Sequence, residues 1–162
     1  MKMKITLLLV VLLFSQITCT TTSAQTKQTT DKQTIYFEDG SYTITFITDV
    51  APDVSSDIDV ISEMKTVTKT KTTEYYNNSN KRMWSVQVKG TFIYGNGSAS
   101  CTKSEISATS YYEYWKLFNK SASKKDNKAM ASVTAKLMKD STVYDTIYKT
   151  VTLTCSPTGT FS

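Results

Sequence analysis

The residues from Met83 to Tyr94 alternate between apolar and polar side chains, and this alternation constrains the fold more than any other part of the chain. Every second position of this run is apolar except for one glycine, and the apolar residues are Trp84, Val86, Val88, Phe92 and Tyr94. A period of two places them on one face of a β-strand. Gly90 interrupts that face and predicts either a β-bulge or a close backbone approach.

Six further runs have strand character and are separated by turn residues. They are residues 34–38, 41–48, 64–76, 98–109, 129–138 and 143–155. Asp39-Gly40 and Gly95-Asn96-Gly97 are typical of tight hairpin turns, and Thr, Val, Ile and Tyr favour strands. We therefore expect an all-β fold, an antiparallel β-sandwich of about seven strands, formed by one domain over residues 34–162.

The first residues have the pattern of a secretory signal peptide over residues 1–24. Lys2 and Lys4 precede an apolar run, Ile5 to Phe14, which is too short to span a bilayer, and a cut after Ala24 is predicted. Residues 25–33 are polar and are predicted to be a disordered leader. Lipoprotein anchoring through Cys19 is disfavoured, because the residues before it do not fit such a site. No other stretch is apolar enough to cross a membrane, so the mature chain should be secreted.

Removal of the signal leaves two cysteines, Cys101 and Cys155. In an oxidising compartment they predict one structural disulfide, which would close a loop of about 54 residues and stabilise the fold by about 4 kcal/mol. The alternative, a zinc site, lacks ligands, because the chain contains no His and no further mature Cys.

The charge balance and the motifs argue against an enzyme and against a nucleic-acid partner. Without Lys2 and Lys4 the chain has 17 basic and 14 acidic residues, a net charge of +3. This mild excess permits attraction to anionic wall polymers, whereas nucleic-acid binding usually needs a denser basic stripe. No His base, Gly-x-Ser-x-Gly elbow, phosphate-binding glycine loop or other cofactor motif is present. The sequence predicts neither catalysis nor a cofactor.

An acidic stretch over residues 49–63 offers a second kind of site. Asp53, Asp57 and Asp59 are candidate calcium ligands or carboxylates of a small hydrolase. The stretch lacks the glycine-bearing loop and the bidentate Glu of an EF-hand. We therefore interpret it as a solvated loop that holds no metal.

Aromatic and basic residues between 111 and 128 form the candidate binding region. Residues 111–118 are aromatic-rich and stay open between a strand and a short helix, while residues 121–128 are predicted as a lysine-rich turn. Flat rings on a rigid sheet can stack on sugars or anchor a protein. Tyr112, Tyr114 and Lys116 are the predicted binding residues, the alternative being that these aromatics are core and ordinary surface.

Two resemblances accompany these patterns. Cys101, Trp115 and Cys155 are spaced as in immunoglobulin-like domains, where a Trp packs on an inter-sheet disulfide, although Leu153 stands where that family has a tyrosine. The run from Gly90 to Gly95 with Ser100-Cys101-Thr102 and Leu153-Thr154-Cys155 resembles small secreted proteins of Firmicutes. This second resemblance covers residues 75–162 and implies a Gram-positive secreted origin and the disulfide, but no catalytic residues.

The expected function is non-catalytic binding at the cell surface or in the extracellular space. The expected partner is a glycan, a cell-wall polymer or a protein. The alternative is a secreted antagonistic protein, either an inhibitor or a membrane-active toxin that acts through its basic residues.

Overall fold

The computed structural model describes residues 29–50 and 64–162, and these contain eight β-strands and no helix. In chain order the strands are β1 (Thr29–Tyr36), β2 (Tyr42–Asp49), β3 (Lys65–Tyr76), β4 (Arg82–Gly95), β5 (Ser98–Ser110), β6 (Trp115–Lys125), β7 (Lys128–Lys139) and β8 (Thr142–Thr154). The all-β prediction is confirmed. Within the described part of the chain there is accordingly no helical segment suited to span a bilayer.

The strands form two antiparallel sheets that pack face to face in a sandwich-like arrangement. β1 to β5 form a five-stranded sheet and β6 to β8 form a three-stranded sheet. Every pair of hydrogen-bonded strands is consecutive in the chain. An immunoglobulin domain needs Greek-key connections between its sheets, and the described strands contain none, so the immunoglobulin-like topology is wrong.

The strand count exceeds the predicted seven because of β6. Residues 121–125 belong to this strand, so the predicted lysine-rich turn over 121–128 shrinks to Asp126 and Asn127. β6 is an edge strand, paired on one side only. An edge strand needs only one partner strand, so β6 pairs with β7 although most of its side chains are polar and exposed.

The amino-terminal boundary also differs from the prediction. β1 begins at Thr29, inside the stretch predicted as a disordered leader, and pairs with β2 from Thr29 opposite Thr48 to Tyr36 opposite Tyr42. The predicted signal peptide, Cys19 and the acidic residues 51–63 lie outside the described residues.

The core lies between the two sheets and combines large side chains with small ones. β4 contributes the fully buried Trp84, Val86, Val88 and Phe92, and β7 faces them with a row of buried Ala129, Ala131, Val133 and Ala135. The small β7 side chains let the sheets approach closely. Gly90 is part of that approach, because a Cβ atom there would lie 2.8 Å from the Ala129 Cβ. The predicted close backbone contact at Gly90 is confirmed.

The two cysteines meet the β6–β7 turn from opposite sheets. The Cys101 N–H donates to the Asp126 carbonyl (2.8 Å), and the Cys155 N–H donates to the Asn127 carbonyl (3.0 Å). Both side chains are buried, and both are free thiols in this structure. The disulfide therefore stays a prediction.

Trp115 does not pack where the immunoglobulin spacing implied. Its ring contacts Tyr75 (5.6 Å between centroids) and Trp84 (6.3 Å). It pairs with Leu137 near the end of β7, whereas the cysteines adjoin the turn before Lys128. At about 3.3 Å per residue, the length of β7 separates the Trp from the thiols.

Candidate functional site

The aromatic-rich segment around residues 111–114 is the crossover between the two sheets. The Tyr111 N–H donates to the Met83 carbonyl in the five-stranded sheet (2.8 Å), and the Met138 N–H donates to the Tyr114 carbonyl in the three-stranded sheet (2.7 Å). The Ser110 hydroxyl also donates to the Trp115 carbonyl (2.7 Å). Both sheets thus fix this turn. The segment 111–118, which the sequence left open between a strand and a short helix, divides into this turn over 111–114 and the start of β6 at Trp115.

The structure brings the three predicted binding residues together at this turn. The Tyr112 and Tyr114 rings meet edge to face, with centroids 5.3 Å apart. Tyr112 lines a cleft of about 490 Å³ beside Trp115, and Tyr114 lines a second cleft of about 400 Å³ beside Phe118. Lys116 lines both clefts, and so does Glu113.

A β-bulge in β6 determines which side chains of this region face outward. Trp115 to Phe118 and Ser121 to Lys125 pair with β7 in two registers, with the bulge between Phe118 and Ser121. Asn119, within the bulge, has φ 50°. A shift of one residue exchanges the two faces of a strand, and here it turns Trp115 into the core and Lys116 outward.

The outer side of the three-stranded sheet carries a row of cations and a row of rings. Lys116 lies opposite Lys136 of β7. Phe118 lies opposite Thr134, which in turn lies opposite Tyr148 of β8. Tyr148 is 79% exposed and Phe118 is 41% exposed.

We call this surface the cationic–aromatic face. Its members share the outer side of the three-stranded sheet or its rim, and they are Tyr114, Lys116, Phe118, Lys136 and Tyr148.

The two lysines of this face form no ion pair among the described residues, although Glu113 lines the same clefts as Lys116. Like charges directly opposite each other in a sheet are destabilising. All four ion pairs among the described residues involve the five-stranded sheet, so neither Lys116 nor Lys136 has an acidic partner there. The Lys136 Nζ atom instead lies 5.5 Å from the centre of the Phe118 ring, within the range of a cation–π contact.

Charge is distributed unequally between the sheets. The segment from Trp115 to Thr154, which forms the three-stranded sheet, contains eight lysines and three aspartates, a net charge of +5. This exceeds the +3 of the whole chain after removal of the predicted signal. The modest total therefore conceals a strongly basic sheet.

Tyr111, although adjacent to the predicted site, is engaged by the five-stranded sheet. The Arg82 guanidinium lies 3.9 Å from the centre of the Tyr111 ring, and the Ser85 and Tyr111 hydroxyls are 3.2 Å apart. Nearby, the Tyr76 hydroxyl donates to Glu74 Oε2 (2.8 Å). Burial, followed by this hydrogen bond to Glu74, raises the pKa of Tyr76 to about 12. These rings are occupied within the protein and are not part of the candidate site.

The described residues contain no group of three or more His, Cys, Asp or Glu side chains arranged to hold a metal ion. The candidate carboxylates Asp53, Asp57 and Asp59 are not among them, and their proposed roles stay predictions.

Sequence reasoning overlooked Lys136 and Tyr148 as members of the site. Lys136 and Tyr148 alternate with inward-facing residues of their strands, so the period of two predicts that both side chains face outward. Their position beside Lys116 and Phe118 was not readable, because it depends on the β6 bulge and on the pairing register.

Comparisons with protein-family models, with curated proteins and with solved structures find no match to this chain. Its function is therefore inferred from the geometry of the site.

Proposed function

We propose that this protein is secreted and non-catalytic, and that it binds an anionic glycan or cell-wall polymer through the cationic–aromatic face. The observation that carries the proposal is the placement of Lys116 opposite Lys136 on an exposed sheet, without an acidic partner among the described residues. Such a pair costs stability in the free protein. A phosphate or carboxylate bound between the two ammonium groups would remove that cost.

The rings beside the lysines supply the contact for sugar units. Phe118 and Tyr148 lie two strands apart, a separation of about 9.5 Å at the usual strand spacing. Aromatic rings offer flat apolar surfaces at low conformational cost. One polymer chain lying across the strands would stack on both rings and place its charges against Lys116 and Lys136.

The test is isothermal titration calorimetry of the mature protein with glucosylated poly(glycerol phosphate) teichoic acid, which carries both phosphates and sugar rings. We expect Lys116→Gln with Lys136→Gln to weaken binding at least about tenfold, since each charge-assisted contact is worth about 1.5–3 kcal/mol. Tyr148→Ala should weaken it about threefold to tenfold through lost stacking. Affinity should fall as salt rises from about 0.05 to about 0.5 M, because the contacts are exposed.

Matched controls are available on the five-stranded sheet. Tyr36 is 73% exposed, close to the exposure of Tyr148, and Lys32 is exposed on β1. Tyr36→Ala and Lys32→Gln should leave binding unchanged. Equal losses in the control and test variants, or no binding at all, would contradict the proposal.

Anionic lipid vesicles separate this function from its alternative. A basic sheet can also attract a membrane surface, as the membrane-active toxin hypothesis requires. Dye leakage from phosphatidylglycerol vesicles, with no binding to teichoic acid, would replace the glycan proposal with the antagonistic one.

We also propose that the export signal is cleaved after Ala24 and that Cys101 and Cys155 form a disulfide once the protein is outside the cell. The shared turn at Asp126 and Asn127 supports this pairing. Amino-terminal sequencing of the secreted protein should begin at Gln25.

A further inference from the structure

The outer edge of β8 is partly paired and partly open. At one end the Thr154 N–H donates to the Ser162 carbonyl (2.9 Å), and the Ser162 N–H donates to the Thr154 carbonyl (3.1 Å). Among the described residues β8 otherwise pairs only with β7. Residues 161–162 thus occupy the first position of a fourth strand of the three-stranded sheet.

The rest of that edge presents a regular set of backbone groups. In an antiparallel ladder, alternate residues direct both N–H and C=O to the same side. Because Thr154 directs both groups away from β7, the edge residues with the same direction are Thr152, Thr150, Tyr148 and Thr146. Tyr148, Thr150 and Thr152 each offer a backbone donor and acceptor that are unpaired among the described residues, as an added strand requires. The Thr146 N–H instead donates to Asp145 Oδ1 (2.7 Å), so Thr146 offers its carbonyl alone.

A groove runs beside this open edge, and the uncovered inner face of the five-stranded sheet forms its floor. β8 packs over β3 and β4, whereas no strand of the three-stranded sheet packs over β1 or β2. Two depressions follow this uncovered face. One of about 310 Å³ is lined by Thr45, Ile47 and Phe161. One of about 410 Å³ is lined by Tyr75 and Ile147, with the acidic Glu38, Asp39 and Asp145 at the same end.

The groove contains two half-buried lysines. Lys71 pairs with Ile47 of β2 and Val88 of β4, so it lies on the inner face of β3. Lys149 lies on the inner face of β8, opposite Val133. Neither forms an ion pair among the described residues. Burial lowers the pKa of both lysines, and the Lys149 charge lowers that of Lys71 further, which is consistent with two cations sharing this groove.

We propose that the open edge of β8 binds an extended peptide segment of a partner protein as a fourth strand, antiparallel to β8. The inward side chains of that segment would include a carboxylate facing Lys149 and Lys71, with an apolar residue facing Ile147. Main-chain pairing supplies affinity in this mode of recognition, and alternate side chains supply specificity. The charge of the two lysines and the strand already begun at Ser162 select this occupant.

The probe is the acetylated and amidated peptide Thr-Val-Thr-Asp-Thr-Val-Thr-Val, added to the mature protein. We expect hydrogen exchange to slow at the amides of Tyr148, Thr150 and Thr152 on saturation. A peptide with Lys in place of Asp should bind at least about tenfold more weakly. N-methylation of the Thr amides, which face β8, should abolish binding, whereas N-methylation of the Val and Asp amides should not.

Variants test the lysines directly. Lys149→Gln should remove the preference for the Asp peptide over the Lys peptide. Lys71→Gln should reduce the same preference in part. It provides a second measurement of the lysine contribution if Lys149→Gln does not fold. Control variant Lys116→Gln, on the outer face, should leave peptide binding unchanged, which separates this site from the proposed glycan surface.

Three outcomes would overturn the proposal. Slow exchange of these amides in the free monomer would mean that the chain itself covers the edge. Protection that depends on protein concentration without peptide would assign the edge to a second copy. Peptide binding that survives N-methylation of the Thr amides would exclude strand addition.

Discussion

At the residue scale, Gly90 marks the tightest contact between the two sheets. We expect Gly90→Ala to destabilise the fold by about 1–3 kcal/mol, as overpacking does. The added Cβ would lie 2.5 Å from the Phe92 ring and 2.8 Å from the Ala129 Cβ. Urea denaturation monitored by tryptophan fluorescence measures the change.

Gly97 provides the control for that substitution. It has φ 75° in the β4–β5 turn, and a Cβ atom added there would meet nothing within 4 Å. Asn tolerates this conformation, so Gly97→Asn should change stability by less than about 0.5 kcal/mol. A loss at Gly97 equal to that at Gly90 would show that the Gly90 effect does not come from packing.

Tyr76 predicts a pH dependence at the same scale. Its pKa is raised to about 12, above the ordinary value near 10. A raised folded-state pKa contributes stability that is fully present below pH 10 and is lost as pH rises toward 12. Ultraviolet titration of phenolate should show a late step that is missing in Tyr76→Phe. Titration of all tyrosines together near pH 10 would contradict this.

At the scale of elements, the two cysteines lie buried beside the β6–β7 turn, and this burial determines how reactive their thiols are. Burial raises the pKa of Cys101, and burial together with the neighbouring Cys101 raises that of Cys155. Buried thiols of this kind react slowly, so a disulfide must form before the sheets close or with the help of a catalyst.

We predict that the protein, once oxidised, is lighter by two hydrogens and more stable by up to about 4 kcal/mol than its reduced form. Mass spectrometry and urea denaturation, each with and without reductant, measure the two effects. The double variant Cys101→Ala, Cys155→Ala should not respond to reductant. Alkylation of both cysteines in unreduced, unfolded protein would show that the disulfide does not form.

Element by element, the sequence predicted most strands because their inward residues repeat with a period of two, as β4 illustrates. β6 was not predicted beyond residue 118, since Ser, Ala and Lys on an exposed edge produce no such pattern. The candidate site was predicted in part. Tyr114 and Lys116 belong to it, but the bulge at Asn119 that turns Lys116 outward follows from pairing rather than from local sequence.

At the scale of the whole molecule, the unequal size of the sheets determines where ligands can act. The five-stranded sheet extends past the three-stranded one at β1 and β2, and this leaves the groove beside β8. The smaller sheet carries the excess positive charge. An outer face for a polymer and an edge for a peptide would thus lie on the same three strands.

The consecutive order of all eight strands has a consequence for how the chain folds. Within each sheet a strand pairs only with a strand next to it in the chain, so the chain between partners is mostly short and closing it costs little entropy. Contacts of this local kind favour fast folding. Hairpin formation should therefore be rapid, and the docking of residues 115–154 onto the completed five-stranded sheet should limit the rate.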